Sequence, residues 1–221
     1  MLPNLAQHLV DPITSKPLTL ARPPEGRVER HGRIESGTLV AADGAKWPIV
    51  RGVPRFVPKA LLDEETKDDD TADVTSTSRT FGRKWREARS LEYGSNASDR
   101  ASMIEVMRHM LRADDEAAVM KKLGDAEAVL NVGCGVAWPE AMFNPSTKTL
   151  RCAIDYSLSV ETALVRTRDY DNVLVAQADL FRIPFPTSRF DIIFSGRETL
   201  SAVEERRGCP LILSRHPAGL L

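Results

Sequence analysis

Apolar positions along the second half of the chain follow two different periods. Over residues 98–123, Met103, Met107, Met110 and Leu111 recur at i, i+4, i+7 and i+8, the stripe of one helix, with Ser98 or Asp99 as its cap and Gly124 as its stop. A methionine stripe at this spacing reads as core packing rather than as a pliable groove. The pattern then changes to short, mostly apolar runs. Ala128-Val129-Leu130-Asn131-Val132 stops at Gly133, a run over 150–154 stops at Asp155, a run over 172–176 leads to Asp179, and a fourth covers 190–194. Mostly apolar runs of this length read as strands buried on both faces, and residues 159–168 between two of them have helical spacing. The alternation predicts an α/β fold, a Rossmann-like doubly wound parallel sheet that is incomplete at about four strands.

Residues 1–58 have another texture, rich in proline and glycine with short apolar clusters. Gly37-Thr38-Leu39-Val40, the turn Ala42-Asp43-Gly44 and Trp47-Pro48-Ile49-Val50 predict a hairpin. Val53-Pro54-Arg55-Phe56-Val57 adds an extended piece, because a residue before proline is pushed away from helix. This is read as a small N-terminal β-rich domain. Between Asp63 and Asp73 there are seven acidic residues and one lysine, a self-repelling stretch that marks residues 59–80 as a linker. Phe81 and Trp85, set among basic residues, are expected to anchor a helix.

Composition narrows the function classes. With 30 Lys plus Arg against 31 Asp plus Glu, the net charge of −1 supplies no global field, so nucleic acid is not indicated as a partner. A hydrophobic share of 42% supports a real core, and no apolar run is long enough to span a membrane. The start lacks the features of a signal peptide, so the expected location is cytoplasmic. Cys134, Cys152 and Cys209 are too few and too dispersed for a disulfide framework, and with the four scattered histidines they build no zinc cluster. No metal is expected.

Chemistry in such sheets sits just beyond the carboxyl ends of the strands. After the first parallel strand, Gly133-Cys134-Gly135-Val136-Ala137 lets the backbone turn sharply and a ligand approach closely. Asp155 follows 22 positions after Gly133, where a carboxylate can accept both ribose hydroxyls of an adenosine cofactor. Asp179 ends the third strand where an adenine amino group is expected. A dinucleotide fold wants glycine at the position held by Trp138, and Pro139 follows directly. An indole there obstructs close approach to a pyrophosphate, which argues against NAD. A cofactor without phosphates needs no such approach.

Val129-Leu130-Asn131-Val132-Gly133-Cys134-Gly135, Asp155-Tyr156-Ser157, Gln177-Ala178-Asp179-Leu180, and Pro184-Phe185-Pro186 running into Phe190-Asp191-Ile192-Ile193-Phe194-Ser195 resemble the ordered motifs of class I S-adenosylmethionine-dependent methyltransferases. The resemblance covers about residues 128–195. It implies S-adenosyl-L-methionine as cofactor, with Asn131, Gly133, Cys134, Gly135, Asp155, Tyr156, Asp179, Leu180 and Ser195 around it. Gly133 and Gly135 would pass under the methionine part, Asp155 would hold the ribose, and Asp179 with Leu180 would border the adenine. Asn131 stands where the family usually has Asp, and Ala137 where a third glycine is frequent. Gly52-Val53-Pro54 after Trp47-Pro48-Ile49 resembles the small zinc-ribbon-like domain that activates tRNA methyltransferases. The cysteine pairs of that domain are replaced by Asp11-Pro12-Ile13-Thr14 and by residues 41–44, so packing must hold it.

The resemblance also implies a seven-stranded sheet, of which four strands are legible, so 81–195 reads as the cofactor half of a methyltransferase domain. Residues 196–221, with four arginines and one short apolar run, read as an atypical tail, foreign to the family's usual continuation. A sheet ending at its fourth strand exposes an edge that a protein partner is expected to cover. The implied activity is methyl transfer to an unidentified acceptor: a small molecule, a quinone-like lipid or a tRNA base. The alternative is a truncated, non-catalytic relative that binds cofactor or partner. No general base is assigned, and Glu198 and His216 are expected to be solvated.

Overall fold

The computed structural model describes residues 1–21, 28–30, 32–58 and 97–195. The acidic linker, Phe81, Trp85, Glu198, Cys209, His216 and the arginine-bearing tail lie outside the described residues.

Among the described residues nine strands join in one sheet: β1 Leu18–Leu20, β2 Val28–Arg30, β3 Arg33–Ala41, β4 Lys46–Val50, β5 Val53–Phe56, β6 Ala128–Val132, β7 Leu150–Asp155, β8 Val173–Ala178 and β9 Ile192–Ser195. Their order is β1-β3-β4-β5-β8-β7-β6-β9, with β2 alongside β3. The first five strands pair antiparallel, and the predicted hairpin is β3 and β4, with Leu39 opposite Trp47. The last four pair parallel. The fold is therefore α/β with a parallel Rossmann-like half in the order third, second, first, fourth. The two halves meet where β5 lies parallel to β8, with Arg55 beside Gln177 and Phe56 beside Ala178.

Alternation along the parallel strands builds two apolar faces. Leu130, Ile154 and Leu174 point to one face, where the N-terminal segment supplies Leu5, Leu9, Leu39, Ile49 and Phe56, and where Phe185 meets Phe190 edge to face at 5.1 Å. A 3-10 helix, Pro3–His8, carries Leu5 into this core. On the opposite face, α4, Ser159–Thr167, lays Val160 and Ala163 on Val53, Ala153 and Val175. Beside it, Met107, Val119, Leu123 and Phe143 pack against Val129 and Phe194.

The helix expected over 98–123 is two helices, α1 Ala97–Leu111 and α2 Glu116–Asp125. Asp115 breaks the run because its carboxylate accepts the Ala118 N–H at 2.7 Å and so caps a new helix. The Lys122 ammonium donates to the carbonyls of Leu111 and Arg112 at 2.8 and 3.0 Å, closing the end of α1. Gly124 lies inside the last turn of α2 rather than after it. Phe190 belongs to the core and not to the last strand, which begins at Ile192.

At the N-terminal knuckle, Asp11 is buried and its carboxylate is fully engaged. Oδ1 accepts the N–H groups of Ile13 and Thr14, both at 2.8 Å, and Oδ2 accepts the Trp47 indole N–H at 2.9 Å. Lys16 and Asp43 form an ion pair at 3.0 Å between the same two turns. Hydrogen bonds thus join the two turns directly. Among the described residues no cluster of His, Cys, Asp and Glu is arranged to hold a metal ion.

Candidate functional site

The parallel strands reverse direction of winding between β6 and β9, and a crevice at the carboxyl ends of such a pair is where ligands bind in open α/β sheets. The Ser195 hydroxyl donates to the Val132 carbonyl at 2.8 Å and ties the two strands at that point. Chain leaving β6 bends at once over the end of β7, as the N–H groups of Gly133 and Cys134 both donate to the Ile154 carbonyl at 2.8 and 2.9 Å. Gly133 and Gly135 take φ of 69° and 54°, a left-handed backbone in which a side chain is strained. A Cβ built on Gly135 would meet nothing within 4 Å. The bend is open.

Asp155 faces this bend. Its Oδ2 accepts the Gly135 N–H at 2.9 Å, and its Oδ1 accepts the Ser157 N–H at 2.8 Å and hydroxyl at 2.7 Å. The structure thus brings together Gly133, Gly135 and Asp155, residues that lie on separate motifs. A carboxylate has about four acceptor positions, and three are used, so one is left for a ligand hydroxyl unless Ser157 turns away. Ser157, whose hydroxyl also touches that of Ser159 at 2.8 Å, is a site residue to which sequence reasoning gave no role.

The remaining site residues are distributed around this centre. Tyr156 is held through its carbonyl, which accepts from the Gln177 amide at 2.8 Å. At the end of β8 the Asp179 carboxylate accepts the Phe181 N–H at 2.9 Å, shaping the turn, and Leu180 packs half-buried on the main core. Cys134 contributes backbone to the bend, but its side chain is buried with Val160 and Ala163. Burial, with the negative charges of Asp155 and Glu140 nearby, pushes its thiol well up, which disfavours the thiolate.

Asn131 points under the short helix α3, Trp138–Met142, where its amide donates to Glu140 Oε2 at 3.0 Å. Glu140 is buried; burial pushes its carboxyl up, opposed by Arg151 and the Asn131 hydrogen bond. Arg151 is fully buried near Glu140, and among the described residues none of its three side-chain nitrogens has a hydrogen-bond partner. The Trp138 indole packs edge to face on Phe143, 6.3 Å between ring centres. Ala137, at φ 53°, takes the left-handed turn into α3.

Solved structures that overlay on part of the chain include S-adenosylmethionine-dependent methyltransferases. Geranyl diphosphate C-methyltransferase from Streptomyces coelicolor, in complex with Mg2+, geranyl diphosphate and S-adenosyl-L-homocysteine, is 18% identical, with TM-score 0.38 over 58% of this chain and 57% of its own. Phosphoethanolamine N-methyltransferase 1 from Haemonchus contortus, also with S-adenosylhomocysteine, is 18% identical, with TM-score 0.37 over 57% of this chain and 26% of its own. A complex between the Haloferax volcanii Trm112 methyltransferase activator and a methyltransferase is 16% identical, with TM-score 0.31 over 48% of this chain and 46% of its own. The chain thus spans between 26% and 57% of the length of these structures. No protein-family model and no curated protein sequence matches it.

Proposed function

We propose that the chain binds S-adenosyl-L-methionine over the bend at residues 133–135 and belongs to the class I methyltransferases. The observation that carries the reading is the Gly135 N–H held on Asp155 at 2.9 Å beneath an open left-handed turn. This is the cradle that a nucleoside needs, with side-chain-free backbone below it and a carboxylate at its rim. When bound, the cofactor supplies an electrophilic methyl group on a sulfonium. The chain's own residues bind and orient. Asp155 offers its free acceptor position to a ribose hydroxyl, the glycines admit the ligand to van der Waals distance of the backbone, and Asp179 and Leu180 border the base. Methyl transfer to an aligned acceptor requires no covalent nucleophile, and holding the partners in near-attack geometry contributes roughly 7–11 kcal/mol.

In this reading residues 1–58 are a metal-free counterpart of the activator-type domain, 59–80 the linker, 81–195 the cofactor half and 196–221 a tail foreign to the family. Asp11 and its three donors stand in for the metal that joins the two turns in a zinc ribbon. The use of three of the four acceptor positions on Asp155 favours a second reading, a relative that holds the cofactor weakly or not at all and serves by binding a partner. The acceptor of the methyl group is a small molecule, a lipid or a tRNA base. The chain purified under native conditions is extracted and its extract examined by mass spectrometry for S-adenosylmethionine or S-adenosylhomocysteine. Calorimetric titration and a methyl-release assay follow. Binding with turnover supports methyl transfer, binding without turnover supports the second reading, and no binding of either compound overturns the cofactor assignment.

A further inference from the structure

Asp155, Gln177 and Arg55 lie side by side on three neighbouring strands, β7, β8 and β5, in direct register. All three side chains are on the face that carries α4. Arg55 is 1% exposed although it comes from the N-terminal segment. Its Nη1 donates to Gln177 Oε1 at 3.0 Å, and its Nη2 donates to Glu161 Oε1 at 2.8 Å and to the Val50 carbonyl at 3.3 Å. A guanidinium has donors only, so the Gln177 amide must turn its oxygen toward Arg55. The NH2 group is then forced toward β7, where it donates to the Tyr156 carbonyl at 2.8 Å. Tyr156 directly follows Asp155, whose carboxylate holds Gly135.

We infer that Arg55 is a positioning residue for the cofactor site: acting through Gln177, it sets the place of the Asp155–Tyr156 turn and hence of the carboxylate beneath the bound nucleoside. The inference rests on the cofactor reading above, and it makes the N-terminal segment a part of the site without touching the ligand. Arg51 serves as the internal control, because it is an exposed cation that pairs with the same Glu161, at Oε2 and 3.2 Å.

The test uses the full chain and the variants Gln177→Met, Arg55→Lys and Arg51→Ala. Gln177→Met keeps the volume and removes both links. Arg55→Lys keeps a cation for Glu161 but not the fork that reaches Glu161 and Gln177 together. Affinity for S-adenosylmethionine is measured by calorimetry, and the proton shifts of the Gly135 and Ser157 amides, both bonded to Asp155, are measured by NMR without ligand. Gln177→Met and Arg55→Lys are expected to weaken binding about 3- to 10-fold and to move both amide resonances, while Arg51→Ala changes neither. If Gln177→Met does not fold, Arg55→Lys carries the comparison. A folded variant with the relay cut, unchanged amide shifts and unchanged affinity overturns the inference. Should the wild type bind no cofactor, the functional reading falls, and the ligand-free amide shifts still decide whether Arg55 and Gln177 place Asp155.

Discussion

Replacing Gly135 by alanine separates the cost to the fold from the cost to the ligand. At φ 54° an L residue is strained by about 1–2 kcal/mol, partly offset because alanine has less backbone freedom to lose on folding. No further cost arises within the protein, since the added methyl meets nothing within 4 Å. The expected loss of stability is about 1 kcal/mol, a fall of about 2–4 °C in Tm for a chain of this size. The same methyl occupies the space assigned to the cofactor. Forcing a methyl into a packed contact costs about 1–3 kcal/mol, or about 5- to 150-fold in Kd. Gly44→Ala is the matched control: φ is 87°, nothing lies within 4 Å, and the residue sits in the turn between β3 and β4. Thermal unfolding and calorimetric titration with S-adenosylmethionine and S-adenosylhomocysteine are measured on both variants. Equal small losses in Tm, with lost affinity in Gly135→Ala alone, are the expected result. A folded Gly135→Ala chain that binds as tightly as wild type refutes the claim that the ligand lies over this bend.

Asn131→Asp is expected to destabilise by about 3 kcal/mol at neutral pH, because it sets a second buried carboxylate against Glu140 in place of a donor. Denaturant unfolding at two pH values checks this: the loss shrinks as pH falls and the pair shares a proton. Asp11→Ala removes the acceptor of three hydrogen bonds and is expected to cost about 3 kcal/mol. Burial raises the Asp11 carboxyl, but the donors Trp47, Thr14 and Ile13 outweigh it and hold the group below its ordinary value of 3.8. Its contribution is therefore present above that value and lost as pH falls through the lower folded one, so the gap between wild type and variant closes on the acid side. Arg151→Met alone leaves the buried Glu140 without its cation and destabilises, whereas Glu140→Gln with Arg151→Met is expected to exceed wild type by about 1–4 kcal/mol in urea unfolding. A double variant less stable than the single one would show that the pair is held by more than charge.

The parallel strands were legible because each is a short apolar run closed by glycine or an acid, and β6 runs over the residues expected. The break between α1 and α2 was not, because Val119 and Leu123 reach the same core as Met107 from a separate helix, which only the folded chain shows. Only the acids at 114–116 mark it, and an acid in a helical pattern reads equally as a solvated face until its capping bond is seen. The bend and Asp155 were legible as separate motifs whose distance apart in the chain fits a known layout. Their joining through the Gly135 N–H was not, because it depends on how far the loop folds back over β7. Arg55 and Glu140 were missed for a shared reason. A charge within a short element predicts exposure, and what reverses the prediction is a partner on another element: Gln177, 122 residues from Arg55, and Asn131, on the strand that precedes the helix of Glu140.

That long-range partner bears on register. Strand β5 meets β8 through only two register pairs, so the backbone ladder alone discriminates weakly between alternative alignments. Apolar contacts discriminate little better, since both faces of the sheet are apolar and Val53 and Phe56 are both buried. Sliding β5 by one residue turns every side chain to the opposite face. Arg55 would then enter the core of Leu174 and Ala176 without Gln177 or Glu161, and an uncompensated buried cation costs about 3–5 kcal/mol. The charged group that looks least suited to a buried strand is therefore the one that selects its alignment, and the alignment it selects places Gln177 between the N-terminal segment and the Asp155 turn.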